Sequence, residues 1–183
     1  MRIITGSARG RKLKTLDGLD VRPTTDKVKE AIYSSIQFDI EGAIVLDLFS
    51  GSGQMGIEAL SRGASMCFFV DKSRASIDCT KDNIDTCGFT KQSRIFNIDS
   101  VDFARCTTQK FDIVIIDPPY SKGLIEQVLP LLENKLNIGA KVICEHEKGL
   151  ILNESFGELH LKKKYSYGKT EVTTFTFGSE EFL

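Results

Sequence analysis

The chain has 183 residues, with 24 basic and 25 acidic side chains and a formal net charge of −1. That length fits one domain with a full hydrophobic core, and the near-neutral balance excludes a general pull toward nucleic acid, so any basic surface must be local. The five cysteines are odd in number and never spaced CxxC, against zinc or a disulfide framework, and with no apolar signal core or run of membrane-span length the chain reads as cytoplasmic, with no membrane partner.

Residues 1–22 read as a short basic N-terminal extension, hairpin-like, ahead of a single domain over 23–183. Arg2, Arg9, Arg11, Lys12 and Lys14 stand there with no acid among the first 14 residues, and Gly6 and Gly10 make the segment adaptable. A flexible basic arm suits phosphate contacts, although a solvated terminus has the same composition. Arg22 either binds phosphate or braces the helix that follows. Val28, Ala31, Ile32 and Ile36 share one face of that helix, behind the cap-like pair Thr24-Thr25.

From residue 43 short apolar strands alternate with helical patterns. Strands are expected at 43–48, 66–70, 94–98, 112–116 and 141–145, separated by crossover-length segments. This is the pattern of an α/β fold, doubly wound, with helices on both faces of a mostly parallel sheet. Two more strands, 158–165 and 171–177, are joined by a turn containing Gly168 and form a C-terminal antiparallel hairpin, seven strands in all. Ser73 caps one helix and Gly88 ends it, while Pro130 splits the helical pattern between 122 and 136.

The first strand runs through Asp47 and Phe49 into Ser50-Gly51-Ser52-Gly53, where Gly51 and Gly53 let the backbone approach a ligand. Gly51-x-Gly53-x-x-Gly56 also fits a dinucleotide fingerprint, but Asp47 would oppose a pyrophosphate and suits a cation such as an α-amino group. Asp71, before Lys72, ends the second strand and can accept from ribose hydroxyls. Asp99, before Ser100, follows the third and can meet an adenine amine or cap a helix. Then comes Asp117-Pro118-Pro119-Tyr120 at the end of a β-branched strand. Two prolines stiffen the backbone and hold Asp117 extended. The corner presents a carboxylate, carbonyls and an aromatic face, a receptor for a flat group bearing an amine. His146 could line a target pocket, although such a histidine is more often on the surface. Lys162, Lys163, Lys164 and Lys169, with Tyr165 and Tyr167, form a second basic patch or simply protect an edge strand.

The order DxFxGxG, Asp71, Asp99, DPPY resembles the class I S-adenosylmethionine-dependent methyltransferases that act on amino groups. Arg2-Ile3-Ile4, Gly10-Arg11-Lys12-Leu13, the 22–30 segment RPTTDKVKE and the 56–64 segment GIEALSRGA resemble the bacterial RsmD family. This resemblance implies a Rossmann-like methyltransferase sheet and transfer of a methyl group from S-adenosylmethionine to a guanine N2 amine of 16S ribosomal RNA. Cofactor binding is then expected at Asp47, Phe49, Gly51, Gly53, Asp71, Lys72, Asp99 and Ser100, and catalysis at Asp117, Pro118 and Tyr120, with no metal. RNA contacts are expected from Arg2, Arg9, Arg11, Lys12, Lys14 and Arg22. The partner implied is 16S rRNA within a small-subunit ribonucleoprotein, and the enzyme a monomer. Gln54-Met55 stands where smaller residues are expected in relatives. Other readings share parts of the pattern: a DNA adenine-N6 or cytosine-N4 methyltransferase, a glutamine-amide methyltransferase, a nicotinamide dehydrogenase resting on the glycines alone, and a non-catalytic RNA-binding module.

Overall fold

The computed structural model describes residues 1–16, 25–120 and 122–178. Arg22 and the Pro23-Thr24 pair lie outside the described residues.

Eight strands form one sheet: β1 (Ile44–Leu48), β2 (Met66–Val70), β3 (Ser93–Phe96), β4 (Phe111–Ile116), β5 (Leu136–Glu147), β6 (Ser155–Phe156), β7 (Leu159–Tyr167) and β8 (Thr170–Phe177). Their order is β3-β2-β1-β4-β5-β8-β7-β6. The first five are parallel, and β8 runs antiparallel to β5, with Glu147 opposite Thr170. The expected seven strands gain an eighth in the two-residue β6, too short to leave a period-two signal. β5 also begins earlier than expected. Its first residues surround a positive-φ Gly139, which hides the strand from an alternation count.

The helices are α1 (Asp26–Ser35), α2 (Gln54–Ser61), α3 (Arg74–Cys87), α4 (Ser100–Cys106) and α5 (Leu124–Val128). Thr25 caps α1 by accepting from the Val28 amide, and Ser73 caps α3 by accepting from Ser76. Gly88 closes α3 with φ +81°. After α5 the chain tightens into a 3-10 turn at Leu129–Leu131, because Pro130 cannot continue an α-helix.

One cluster packs Ile32, Tyr33, Ile57, Leu60 and Ile84 of α1, α2 and α3 against Val45, Ile113 and Ile143. The other packs Phe103 and Val128 of α4 and α5 against Leu46, Val114 and Val142 on the opposite face. The chain therefore changes face between β1 and β4, and open α/β sheets bind ligands beyond the carboxyl ends of the strands at such a switch point. Among the described residues no helix is long and apolar enough to cross a membrane.

The N-terminal segment is not the free arm expected from its glycines. Arg2 bridges Lys12 antiparallel, and Ile3, Ala8 and Leu13 enter the core. Glu58 of α2, wholly buried, accepts from the Ile4 and Thr5 amides at 2.8 and 3.0 Å. It also pairs with Lys29 of α1 at 3.5 Å and Arg62 at 2.8 Å. Lys29, equally buried, donates to the Arg2 carbonyl. A Cβ on Gly6 would lie 1.7 Å from the Ser61 carbonyl oxygen, so this glycine serves close packing. Adaptability was the wrong inference, because backbone amides meeting a buried carboxylate leave no mark on composition.

Candidate active site

The strands bring four acids to one edge. In sheet order they are Asp99 after β3, Asp71 after β2, Asp47 in β1 and Asp117 after β4. Asp47 points beneath the start of α2, whose N-cap Gly53 has no side chain to offer. Asp47 Oδ2 accepts from the Gly56 amide at 2.8 Å, supplying the missing cap from the neighbouring strand. It occupies one of the helix amides that a pyrophosphate would use, and this sets the dehydrogenase reading aside. Among the described residues no donor meets its other oxygen. Burial raises the Asp47 carboxyl to about 7, against the Gly56 hydrogen bond, with Asp117 and Asp71 adding repulsion. A cationic group placed there would relieve that cost.

The glycine loop is held from several sides. Asp71 Oδ2 accepts from Gly51 N at 3.0 Å and Oδ1 from Ser73 N at 2.8 Å. Thr80 of α3 donates to the Gly51 carbonyl at 2.9 Å, and Asn83 to that of Ser52 at 2.9 Å. Phe49, just before the loop, has φ 146°, the one positive φ on a non-glycine residue among those described. Strain of this kind persists where surrounding contacts impose it and collects at functional sites. The glycines divide the work differently from the sequence reading. A Cβ on Gly51 would meet nothing within 4 Å, leaving its outer side open for a ligand. A Cβ on Gly53 would lie 2.9 Å from Thr80 Cγ2, and one on Gly56 2.3 Å from the Phe69 ring. These two therefore meet close helix packing, and Gly53 also supplies φ +77°.

Asp99 Oδ1 caps α4 by accepting from Val101 at 2.9 Å, while Oδ2 faces Lys72 Nζ at 3.8 Å. Cap and rim acid are one residue. Ser100 is buried behind it. A nucleoside-bearing cation fits this edge on three observations. Two buried polar atoms beside the loop, Ser50 Oγ and Gln54 Oε1, lack partners in the structure. Gly51 is open, and the acids are spaced along successive strands.

Asp117 and Pro118 follow directly from Ile116 of β4, Asp117 half-buried and Pro118 buried. The Tyr120 hydroxyl lies 3.1 Å from Thr170 Oγ1, at the first residue of β8, so the C-terminal hairpin braces the corner. This contact was missed in the sequence, because a strand register brings together residues 50 positions apart. His146 is not a surface residue. It is 1 % exposed, with ring nitrogens 3.0 Å from the Glu147 carbonyl and 2.8 Å from Thr173 Oγ1. It fastens β5 to β8 and does not line the edge. Among the described residues no cluster suits a metal ion. Of the expected RNA-contact residues, Arg2 pairs with Asp26 at 3.5 Å, Lys14 with Asp82 at 2.6 Å, and Arg11 donates to the Thr86 carbonyl. Arg9 and Lys12 are exposed.

A family model described as "Conserved hypothetical protein 95" matches residues 1–176. Ribosomal RNA small subunit methyltransferase D of Escherichia coli is 37 % identical over 167 residues, covering 89 % of this chain and 84 % of that one. The chain belongs to the RsmD family. Bacillus subtilis YlbH is 37 % identical over 180 residues, covering 96 % of this chain and 98 % of that one. The solved structure of Escherichia coli yhhF superposes with a TM-score of 0.88 at 32 % identity, covering 98 % of this chain and 99 % of that one. Within an RsmD-family chain the likeness thus extends over the N-terminal segment and the C-terminal hairpin as well as the glycine loop.

Proposed function

We propose that this chain transfers a methyl group from S-adenosylmethionine to the exocyclic N2 amine of a guanine in 16S rRNA. Membership of the RsmD family supports methyl transfer to ribosomal RNA. The single observation that carries the site assignment is the convergence of Asp47, Asp71, Asp99 and the rigid Asp117 corner on one edge of the sheet. S-adenosylmethionine supplies a methyl group made electrophilic by its sulfonium. Asp47 and the open Gly51 side hold the methionine end, with Phe49 shaping the loop. Asp71 and Lys72 flank the ribose, and Asp99 with Ser100 the adenine. Gly53 supports the loop from beneath.

Guanine N2 is a weak nucleophile, its lone pair delocalised into the ring, and no side chain deprotonates it usefully at neutral pH. The protein's part is positioning and charge stabilisation. The Asp117 carboxylate and the Pro118 carbonyl accept the two N–H bonds of the amine and favour a pyramidal nitrogen. These hydrogen bonds strengthen as the nitrogen becomes cationic, which lowers the barrier rather than tightening the ground state. As the N–C bond forms the S–CH3 bond would break, releasing S-adenosylhomocysteine, and the cationic amine would then pass one proton through Asp117 to water. Tyr120, held by Thr170, stacks on the flipped base; such stacking is worth about 1–3 kcal/mol, comparable with the cost of flipping.

A small-subunit ribonucleoprotein as substrate, a monomeric enzyme and a cytoplasmic setting complete the proposal. The test is Asp117→Ala in a tritiated-methyl transfer assay, using small subunits from cells lacking this protein. Turnover should fall at least about a hundredfold, with S-adenosylhomocysteine affinity nearly unchanged by calorimetry. Undiminished turnover would remove Asp117 from the mechanism.

A further inference from the structure

We infer that β7 carries a stacking track for the single-stranded RNA that flanks the target nucleotide. The inference rests on the amine-transfer reading only for the direction in which the track leads. Strand alternation puts Lys163, Tyr165 and Tyr167 on one face of β7, the face shared with Val172 and Thr170 of β8. The Tyr165 and Tyr167 rings lie 6.4 Å apart at 40°, and the Lys163 ammonium sits 5.2 Å over the Tyr165 ring. Tyr167 pairs with Thr170 in the ladder, and Thr170 touches Tyr120 of the corner. A continuous line therefore runs from the corner, across the hairpin, and down β7.

Three features make this line a nucleic-acid surface. Both tyrosines are half-exposed, Tyr167 with one side packed against the core cluster, so each keeps ring surface open to a ligand. Lys163 and Lys169 flank them, in a chain whose net charge is −1, so the basic character is placed rather than general, while Lys164 turns to Glu171 on the opposite face. The frame is also fixed. Glu171, buried on the opposite face of the hairpin, takes Lys164 Nζ at 2.9 Å and Ser166 Oγ at 2.8 Å, and the Lys164 contact holds its carboxyl down to about 2. A rigid strand with aromatic rings at alternate positions is how a sheet stacks successive bases. Edge protection explains lysines but calls for no neighbouring pair of rings.

The experiment measures binding of a short fluorescein-labelled oligouridylate by anisotropy. Tyr165→Ala should weaken binding roughly tenfold and Tyr165→Phe by no more than about twofold, since the ring persists. Lys163→Gln should lower the slope of log affinity against log salt by about one. Calorimetry with S-adenosylhomocysteine should give wild-type affinity in all three, certifying an intact fold. In the transfer assay Tyr165→Ala should raise KM for undermethylated small subunits and leave kcat in place. Wild-type oligouridylate binding by Tyr165→Ala overturns the proposal and leaves the open β7 edge to a protein strand. Equal losses in Tyr165→Ala and Tyr165→Phe overturn it too, because stacking would then not be the cause. Asp117→Ala should bind the oligouridylate normally. If that variant retained turnover, the role given to Asp117 would fail while the Tyr165 comparison stood.

Discussion

Two effects compete at the Asp47 carboxylate. The Gly56 amide favours its charge, while burial opposes it more strongly and leaves the group at about 7. Between roughly pH 4 and pH 7 the folded chain therefore keeps a proton that the unfolded chain has released. The ligand-free protein loses stability as pH rises through that window, by up to about 4 kcal/mol from this group. Asp47→Asn keeps an oxygen for Gly56 and cannot ionise. Its thermal midpoint should match wild type near pH 4.5 and exceed it above pH 7, as followed by circular dichroism. A constant difference across the range would show that Asp47 does not titrate there. Cofactor affinity should move the other way, tightening in the wild type between pH 5.5 and 7 as the carboxylate forms opposite an ammonium, and staying flat in Asp47→Asn.

Glu58 joins three elements: the N-terminal segment through two amides, α1 through Lys29, and the end of α2 through Arg62. Burial lowers the Lys29 ammonium pKa even with Glu58 beside it, so this lysine tolerates its place only while paired. Glu58→Ala should cost about 3–5 kcal/mol in urea denaturation. The double variant Lys29→Met/Glu58→Leu should recover only the share due to the stranded Lys29, because the Ile4 and Thr5 amides and Arg62 still lose their acceptor; a loss below about 1 kcal/mol in the single variant would show that the pairing is dispensable. The parallel strands and the caps at Ser73 and Gly88 were legible in the sequence, because a β-branched run and a terminal glycine act locally. The acids of the edge were legible for the same reason, each standing at or near the end of a strand. Illegible were the anchoring of the first 16 residues on Glu58, the cap given by Asp47 across nine positions, and the Tyr120–Thr170 contact. Each depends on which helix or strand ends up adjacent, and even where one window holds both partners, as for Asp47 and Gly56, the spacing alone does not show that they meet.

At the scale of the whole molecule, a net charge of −1 means that no overall field draws the protein to RNA. Affinity must come from a few placed cations. Arg9 and Lys12, on the N-terminal hairpin, are exposed, while Arg2 and Lys14 are engaged with Asp26 and Asp82. The double variant Arg9→Ala/Lys12→Ala should lower the salt slope of small-subunit binding by about two and leave cofactor affinity alone. Filter binding across a salt series measures this, and an unchanged slope would mean that the hairpin does not touch phosphate. Asn83 of α3 joins both ends of the problem, donating to the Ser52 and Lys14 carbonyls at 2.9 and 3.1 Å and accepting from Lys14 N at 2.7 Å. One side chain thus clamps the glycine loop and the basic segment to the same helix. Under the proposed reading the protein works as a caliper: its outer cations sit at set distances from the reacting amine. A backbone bent by a few ångströms would fail to span both jaws, and the particle would be refused on shape before any base was inspected.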